Sequence, residues 1–230
     1  MLREIQTFFS ATLAWVTDLG LEFHDLYSTI VLWLMGLTAG SIAALLLCGT
    51  LIFVTRLTPA VTVFANFFRA IPILALSPLF VWLFGVDYDT KLLLISWACF
   101  FPVFIATLGA IKEPRRDLEL RMRAQRMGRW QKTRYYDVPR MIIGFLTGIE
   151  LSVGIGWLTV VAAEIVANPN FGFFRGGIGQ WTYLKLQNSD ASGYVGLIMF
   201  GFLGIISAEL WRRTSKIILN KLRLDSGRLG

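Results

Sequence analysis

The chain has 230 residues, of which 55% are hydrophobic and only 16% are charged. Its 22 Lys and Arg outnumber the 15 Asp and Glu, which gives a formal net charge of +7. The apolar fraction excludes an intrinsically disordered chain, and two cysteines are too few for a disulfide scaffold. One histidine gives little basis for a zinc site or for His-based catalysis. An apolar chain with this basic excess is typical of an integral membrane protein.

Long apolar intervals predict the membrane spans, because a bilayer core about 30 Å thick needs roughly 20 apolar helical residues. Such intervals occur at residues 29–54, 70–86, 92–111, 141–167 and 191–208. The second contains Pro72 and Pro78, which predict a kinked or short helix and mark either a hinge or static kinks. Residues 1–28 are partly amphipathic and interrupted by charges, so we expect them to form an interfacial segment.

The basic residues predict the orientation of these spans. If the segment 112–140 is cytoplasmic, 18 of the 22 Lys and Arg lie on the cytoplasmic side, including Arg56 and Arg69. This distribution follows the positive-inside rule. It predicts a multi-pass protein of the bacterial inner (plasma) membrane, with the N-terminus outside and the C-terminus in the cytoplasm. Topology and lipid headgroups explain the charge better than nucleic-acid binding does.

The segment 112–139 predicts a basic helix–turn–helix between two spans. Good helix formers continue to Met127, Gly128 then interrupts the helix, and Pro139 begins the next one. Such a segment either docks onto a cytoplasmic partner or is a solvated connection. The residue pattern alone leaves both interpretations open.

Two carboxylates fall within the fourth span. Glu150 lies ten residues after Arg140, or roughly 15 Å along a helix, which places it near the middle of the membrane. Glu164 follows fourteen residues later, near the outer interface and on the same helical face, together with Gly154 and Trp157. We expect this face to line a translocation path or a subunit seam, the alternative being satisfied interhelical hydrogen bonds.

The segment 112–139 resembles part of a known protein family. It is similar to the EAA coupling loop of ABC importer permeases, in which two short helices fit a groove on a cytoplasmic ATPase. Met122 and Arg123 stand where that pattern has Glu and Ala, and the spacing from Gly128 to the proline is shorter than usual. The positions that match the pattern, and to which the resemblance assigns ATPase coupling, are Ala124, Gly128, Arg129, Trp130, Gln131 and Pro139.

The resemblance covers about residues 29–217. Motifs at 69–79, 160–164 and 176–179 follow the order found in nitrate, sulfonate, taurine and bicarbonate permeases, although Glu150 stands where these commonly have Arg. The resemblance implies an all-α integral membrane protein with the type I ABC importer permease fold and about five transmembrane helices. It divides the chain into an outer segment 1–28, a transmembrane domain 29–217 with the coupling loop 112–139, and a cytoplasmic tail 218–230.

The loop 168–190 is rich in glycine and aromatic residues. By composition it is an interfacial aromatic belt. The resemblance suggests instead an outer gate and a contact with a substrate-binding protein, and the two interpretations remain open. The residues concerned are Phe171, Phe174, Arg175 and Trp181.

The resemblance implies the permease subunit of an ATP-driven, binding-protein-dependent importer of a small solute. The solute class is a small anion such as nitrate, a sulfonate, taurine or bicarbonate, carried by alternating access. The implied partners are cytoplasmic ABC ATPase subunits, a second permease subunit that is identical or homologous, a periplasmic or lipid-anchored substrate-binding protein, and membrane lipid. The chain contains no GxxxxGK[ST] phosphate loop, so it is not expected to be an enzyme, and ATP and Mg²⁺ belong to the partner ATPase. No cofactor or metal is expected in this chain.

The sequence bears on three rival functions. An ATP-independent channel or secondary transporter has no need of the long basic loop, and the sequence shows no inverted repeat. A membrane-embedded enzyme needs clustered His, Cys, Asp or Glu at helical spacing, which the sequence lacks. A structural membrane subunit that does not transport remains open, because the loop has no Glu at the expected position.

Overall fold

The computed structural model describes residues 19–113, 127–166, 177–190 and 192–227, and within these ranges it contains helices and short turns but no strand. The helices follow from the apolar runs, since backbone groups in a bilayer must be satisfied within the segment. In chain order they are α1 (Leu19–Phe53), α2 (Thr58–Ala70), α3 (Ile73–Phe84), α4 (Tyr88–Lys112), α5 (Arg129–Lys132), α6 (Val138–Val166), α7 (Ile178–Gln187) and α8 (Gly193–Gly227).

Helices α1, α4 and α6 form the core, with α4 packed against both of the others. Glycines permit these close contacts. A Cβ atom at Gly144 would lie 2.6 Å from the carbonyl oxygen of Ala106, and one at Gly40 would collide with the carbonyl oxygen of Ser96. In the described part of the chain these small residues therefore serve helix packing within one subunit.

The prediction of about five spans is confirmed. Among the described residues, four helical segments are long and apolar enough to cross a membrane, and the bent pair α2–α3 makes a fifth if it counts as one span. The four segments are His24–Phe53, Tyr88–Lys112, Trp130–Ile165 and Gly193–Lys221.

The ends of the first and last spans differ from the sequence-based boundaries. Helix α1 covers Leu19–Phe53, so residues 19–28 are continuous with the first apolar helix, and residues 1–18 lie outside the described ranges. Helix α8 continues to Gly227, well past the predicted end near residue 208. Its polar part is supported by ion pairs from Glu209 to Arg212 and Arg213, one helical turn away.

The second span is broken in the middle. Helices α2 and α3 meet at an angle of 97°. Pro72 stands immediately before α3, and a proline both lacks an N–H donor and keeps the preceding residue out of the helical region. The prediction of a kink was right. If the bent pair counts as one span, that span begins before the predicted start at residue 70, because Arg69 then lies inside the pair rather than at its edge.

Helix α7 is a short helix between α6 and α8, and a tight turn follows it. The backbone N–H of Ser192 donates to Asp190, and Lys185 Nζ lies 3.0 Å from the same carboxylate. These two contacts lower the pKa of Asp190 to about 2, so the carboxylate is ionised at physiological pH. The turn thereby fixes the direction in which the chain enters α8.

Candidate functional site

A cavity of about 680 Å³ lies where α2 and α3 meet. Helices α4 and α6 supply its other walls, and its surface is mostly apolar. We call it the break cavity. The lining residues that matter below are Arg69, Pro72, Trp97, Phe101, Leu151 and Ile155.

Arg69 is the charged residue among those that line the break cavity. The same lining includes Pro102 and Leu151, which lie near the middle of α4 and α6. Arg69 therefore lies at the helix break, beside α4 and α6, whereas the sequence reasoning placed it at the start of a span. The difference has a physical reason, since intervals between charges treat every charge as the end of a span. No carboxylate of the described residues forms an ion pair with Arg69.

The two prolines of the second span differ in position. Pro72 lines the break cavity, whereas Pro78 lies inside α3 and outside that lining. Pro72 coincides with the break between the helices, and Pro78 is accommodated without ending α3. Only the first of the two therefore sits at a point where the chain changes direction.

The four residues predicted to share a face of α6 have different surroundings. Glu150 is half-exposed and lies 3.6 Å from Arg212 of α8. Gly154 is exposed, and nothing lies within 4 Å of the position of a Cβ atom there. Trp157 and Glu164 are buried inside the helical bundle. The break cavity is lined by other residues of the same helix, Leu151 and Ile155.

Trp157 is a packing residue between three helices. Its ring stacks on Trp33 of α1, with ring centroids 4.7 Å apart. Its indole N–H donates to the hydroxyl of Ser207 in α8, at 2.9 Å. A buried tryptophan needs such an acceptor, because its single donor would otherwise remain unsatisfied. The side chain thus joins α1, α6 and α8.

Glu164 forms the centre of a second cluster, which we call the Glu164 cluster and define as Thr29, Lys91, Glu164 and residues 177–179. The carboxylate is 1% exposed. One of its oxygens accepts the hydroxyl of Thr29 at 2.7 Å, and the other accepts the backbone N–H of Gly179, also at 2.7 Å. The backbone N–H of Ile178 donates to the hydroxyl oxygen of Thr29 at 3.0 Å. Glu164 therefore holds the first turn of α7 against α1 and α6.

Two features support this arrangement. The N-terminus of a helix carries a partial positive charge, so a carboxylate is stabilised there. The buried side chain of Lys91, from α4, also interacts electrostatically with Glu164. A Cβ atom at Gly177 would collide with the carboxylate and with the Thr29 hydroxyl, so the contact needs glycine at that position. These are the interhelical hydrogen bonds that the sequence left as the alternative to a path or seam.

The described part of the coupling loop begins at Met127, so Ala124 lies outside the described residues. The side-chain oxygen of Gln131 accepts the backbone N–H of Gly128 at 3.0 Å, and α5 begins directly after that glycine. Trp130 is 70% exposed. The side chain of Arg129 is not described.

Pro139 does not begin a separate helix. The chain stays helical from α5 through a π-type turn at Thr133–Asp137 into α6. A local π turn accommodates the missing N–H of a proline in a continuing helix. The guanidinium of Arg140 donates to the backbone carbonyl of Glu113, which ties the start of α6 to the end of α4. The predicted break at Gly128 thus precedes one continuous helical segment, Trp130–Ile165.

Of the four predicted outer-gate residues, one lies within the described part of the chain. Phe171, Phe174 and Arg175 lie outside the described residues. Trp181 lies on α7, partly buried, with the ammonium group of Lys185 at 5.8 Å from its ring centroid. Trp181 therefore belongs to the helix that Glu164 holds in place.

Comparisons with known proteins agree with this architecture. SsuC of Bacillus subtilis (strain 168), named as an aliphatic sulfonates transport permease protein, is 31% identical over 152 residues, covering 66% of this chain and 53% of the relative. TauC of Escherichia coli (strain K12), a taurine transport system permease protein, is 36% identical over 118 residues, covering 50% and 42%. ThiX of Halalkalibacterium halodurans, a formylaminopyrimidine transport permease protein, is 25% identical over 202 residues, covering 86% and 78%.

The chain spans about half the length of the sulfonate and taurine relatives. The family profile described as the binding-protein-dependent transport system inner membrane component matches residues 36–214, which is well over half of the chain. That match includes α2 to α7 entirely and most of α1 and α8. The chain therefore belongs to the family of inner membrane components of binding-protein-dependent transport systems.

Proposed function

We propose that this chain is the membrane-spanning permease subunit of an ATP-driven, binding-protein-dependent importer of a small organic anion. The observation that carries the proposal is the family match over residues 36–214. Relatives named for sulfonates and for taurine favour an anionic solute. The relative named for formylaminopyrimidine shows that other solutes occur among similar proteins, so the choice of an anion depends on the charge of the break cavity.

The proposal places the end of the bundle that holds Trp130 and Arg140 in the cytoplasm, with the C-terminus on the same side and the N-terminus outside. Separate ATPase subunits, which hold ATP and Mg²⁺, would dock on the loop 112–139. A second permease subunit, identical or homologous, would complete the pathway. A substrate-binding protein would engage the opposite end, where α7 lies. Residues 29–217 form the transmembrane domain in this proposal.

The continuous helix supports a mechanism of alternating access. From Trp130 to Leu151 the helical segment spans 21 residues, or about 31 Å at the rise of an α-helix. A displacement of Trp130 by an ATPase would be carried along this segment to Leu151 and Ile155 in the wall of the break cavity. The last turn of the same segment contains Glu164, which holds α7 in place. One rigid element thus connects the proposed docking surface, the cavity and the opposite end of the bundle.

Capture of an ATPase tests the docking surface. The native chain, extracted in mild detergent from cells that express its neighbouring transport genes, is expected to co-purify with an ABC ATPase. Trp130→Ala should lower the amount of captured ATPase by at least about tenfold, because an exposed aromatic anchor commonly contributes 2 kcal/mol or more to an interface.

Trp82→Ala provides the matched control. Trp82 is 80% exposed and lies on α3, outside the loop 112–139. The Trp82→Ala variant therefore loses an exposed ring of the same kind at a different place in the fold. This variant should capture as much ATPase as the native chain. If the native chain captures no ATPase, the importer proposal fails. Equal losses in the two variants would show that Trp130 has no specific part in docking.

A further inference from the structure

We propose that the break cavity binds the anionic group of the transported solute and that Arg69 is its counter-charge. The proposal rests on the importer function proposed above and assigns a solute site to it. Four observations carry it: the position of Arg69, the absence of an ion-pair partner for it among the described residues, the break in the second span and the apolar walls.

The position of Arg69 calls for a partner. A guanidinium group at the break of a membrane-spanning segment is costly unless it is paired or lines a polar path. Among the described residues no carboxylate pairs with it, and Arg69 is exposed and lines the cavity. The guanidinium offers several donors in a planar fork that fits the oxygens of a carboxylate, sulfonate or phosphate. An anion supplied from outside the chain is therefore the complementary group.

The break in the span adds positive potential at the same place. Helix α3 starts at Ile73, directly after Pro72, and both residues line the cavity with Arg69. The first turn of a helix has backbone N–H groups without intrahelical acceptors, and these attract negative charge. Broken helices in other transport folds present such half-helix ends to anionic groups near the middle of the membrane.

The cavity walls indicate an organic rather than an inorganic anion. A volume of about 680 Å³ is within the range of small-molecule sites. Trp97 packs edge-on against Phe68 and Phe101, at ring centroid distances of 5.5 and 5.1 Å, and all three rings line the cavity. A small organic anion would place its charge on Arg69 and its carbon chain against these rings. Nitrate or bicarbonate would leave most of this apolar wall uncovered.

Cysteine reactivity measures the charge of the cavity without knowledge of the natural solute. Ala98 lines the cavity, and Ala98→Cys in the full chain introduces a thiol there, while the native Cys48 and Cys99 are buried. In membranes, its rate of reaction with the anionic reagent sulfonatoethyl methanethiosulfonate is compared with the rate for neutral methyl methanethiosulfonate. The chain without Ala98→Cys gives the background rate.

Arg69→Gln in the Ala98→Cys chain should lower the ratio of anionic to neutral rates by about tenfold or more, since a unit charge in the same mostly apolar cavity strongly attracts the anionic reagent. Arg56→Gln is the matched control, because Arg56 is an exposed arginine outside the lining of the break cavity. It should leave the ratio unchanged. A ratio that Arg69→Gln does not lower would overturn the assignment.

Uptake by the assembled importer tests whether the site acts on the solute. With ethanesulfonate or taurine as the probe, Arg69→Gln should raise KM by at least about tenfold while the chain still captures its ATPase, and Arg69→Lys should restore part of the uptake. If ATPase capture is normal and only uncharged solutes are carried, the anion site is wrong and the importer function stands. If Arg69 controls the reagent ratio but no ATPase is captured, the importer function fails and the charged cavity stands.

Discussion

Glu164→Ala is expected to destabilise the protein by about 1–3 kcal/mol, because it leaves the buried backbone N–H of Gly179 without an acceptor. The Thr29 hydroxyl also loses its contact with Glu164, but it retains the backbone carbonyl of Asp25 as an acceptor at 2.9 Å. Lys91 loses an electrostatic partner in the same change. The free energy of unfolding in detergent micelles, followed by a denaturant titration, measures the loss. Reactivity of a cysteine placed at Trp181 reports whether α7 detaches first.

Two control variants distinguish the effect of losing the hydrogen bonds of Glu164 from the effect of losing a negative charge. Glu164→Gln keeps a carbonyl acceptor and should cost less than Glu164→Ala. Glu150→Ala removes a glutamate of the same helix that is half-exposed and paired only at 3.6 Å with Arg212, so it should cost about 1 kcal/mol or less. If Glu164→Ala is as stable as the native chain, or if the two alanine variants lose equal stability, the Glu164 cluster does not hold α7.

Trp157→Ala should destabilise the protein by about 3–5 kcal/mol, the usual cost of removing a buried tryptophan. Trp157 is 6% exposed and stacks on Trp33. Its removal also leaves the Ser207 hydroxyl without its indole donor. Thermal unfolding of the purified chain measures the change. Because the ring packs inside the bundle rather than lining the break cavity, uptake per folded molecule should stay near the native value.

Trp157→Phe and Trp82→Ala are the control variants for this prediction. Phenylalanine retains most of the stacking and should recover more than half of the lost stability. Trp82 is 80% exposed, so its removal leaves no cavity and should have little effect on unfolding. A stable Trp157→Ala chain with a changed solute preference would instead place Trp157 on the translocation path.

The number and order of the spans followed from the sequence, because burial in lipid demands long charge-free helices regardless of what packs against them. The same reasoning placed Arg69 at the start of a span, whereas it lies at the helix break. A charge inside a broken span looks, in sequence, like the charge that ends a span. Pro72 was the available signal, since it stands three residues after Arg69 and predicts a break within the apolar run.

The two glutamates of α6 show that helical periodicity does not predict whether a side chain is buried or exposed. Fourteen residues apart, Glu150 and Glu164 share a helical face, yet one is half-exposed and the other is buried. The difference comes from neighbours that are distant in sequence, since Thr29 lies 135 positions from Glu164. Helical periodicity gives the direction of a side chain and not the residues it meets. The glycines at 177 and 179 were visible as a motif, but their contact with a carboxylate was not.

The continuous helix from Trp130 to Ile165 was also beyond the sequence reasoning. A proline such as Pro139 is a standard signal for the start of a helix, and the helix-breaking Gly128 earlier in the chain supported the prediction of a new helix there. The π-type turn at Thr133–Asp137 absorbs the proline instead. The difference matters for the proposed mechanism, because a continuous segment would transmit a displacement that a flexible loop would absorb.

ATP-dependent uptake in vesicles is the most direct test of the proposed importer. The chain would be reconstituted into vesicles with its captured ATPase and binding protein, and labelled ethanesulfonate would be the probe. We expect uptake that requires both ATP and the binding protein, and that stops when hydrolysis is blocked in the ATPase. Equal uptake with and without ATP would contradict the importer function and identify the chain as an ATP-independent channel or carrier.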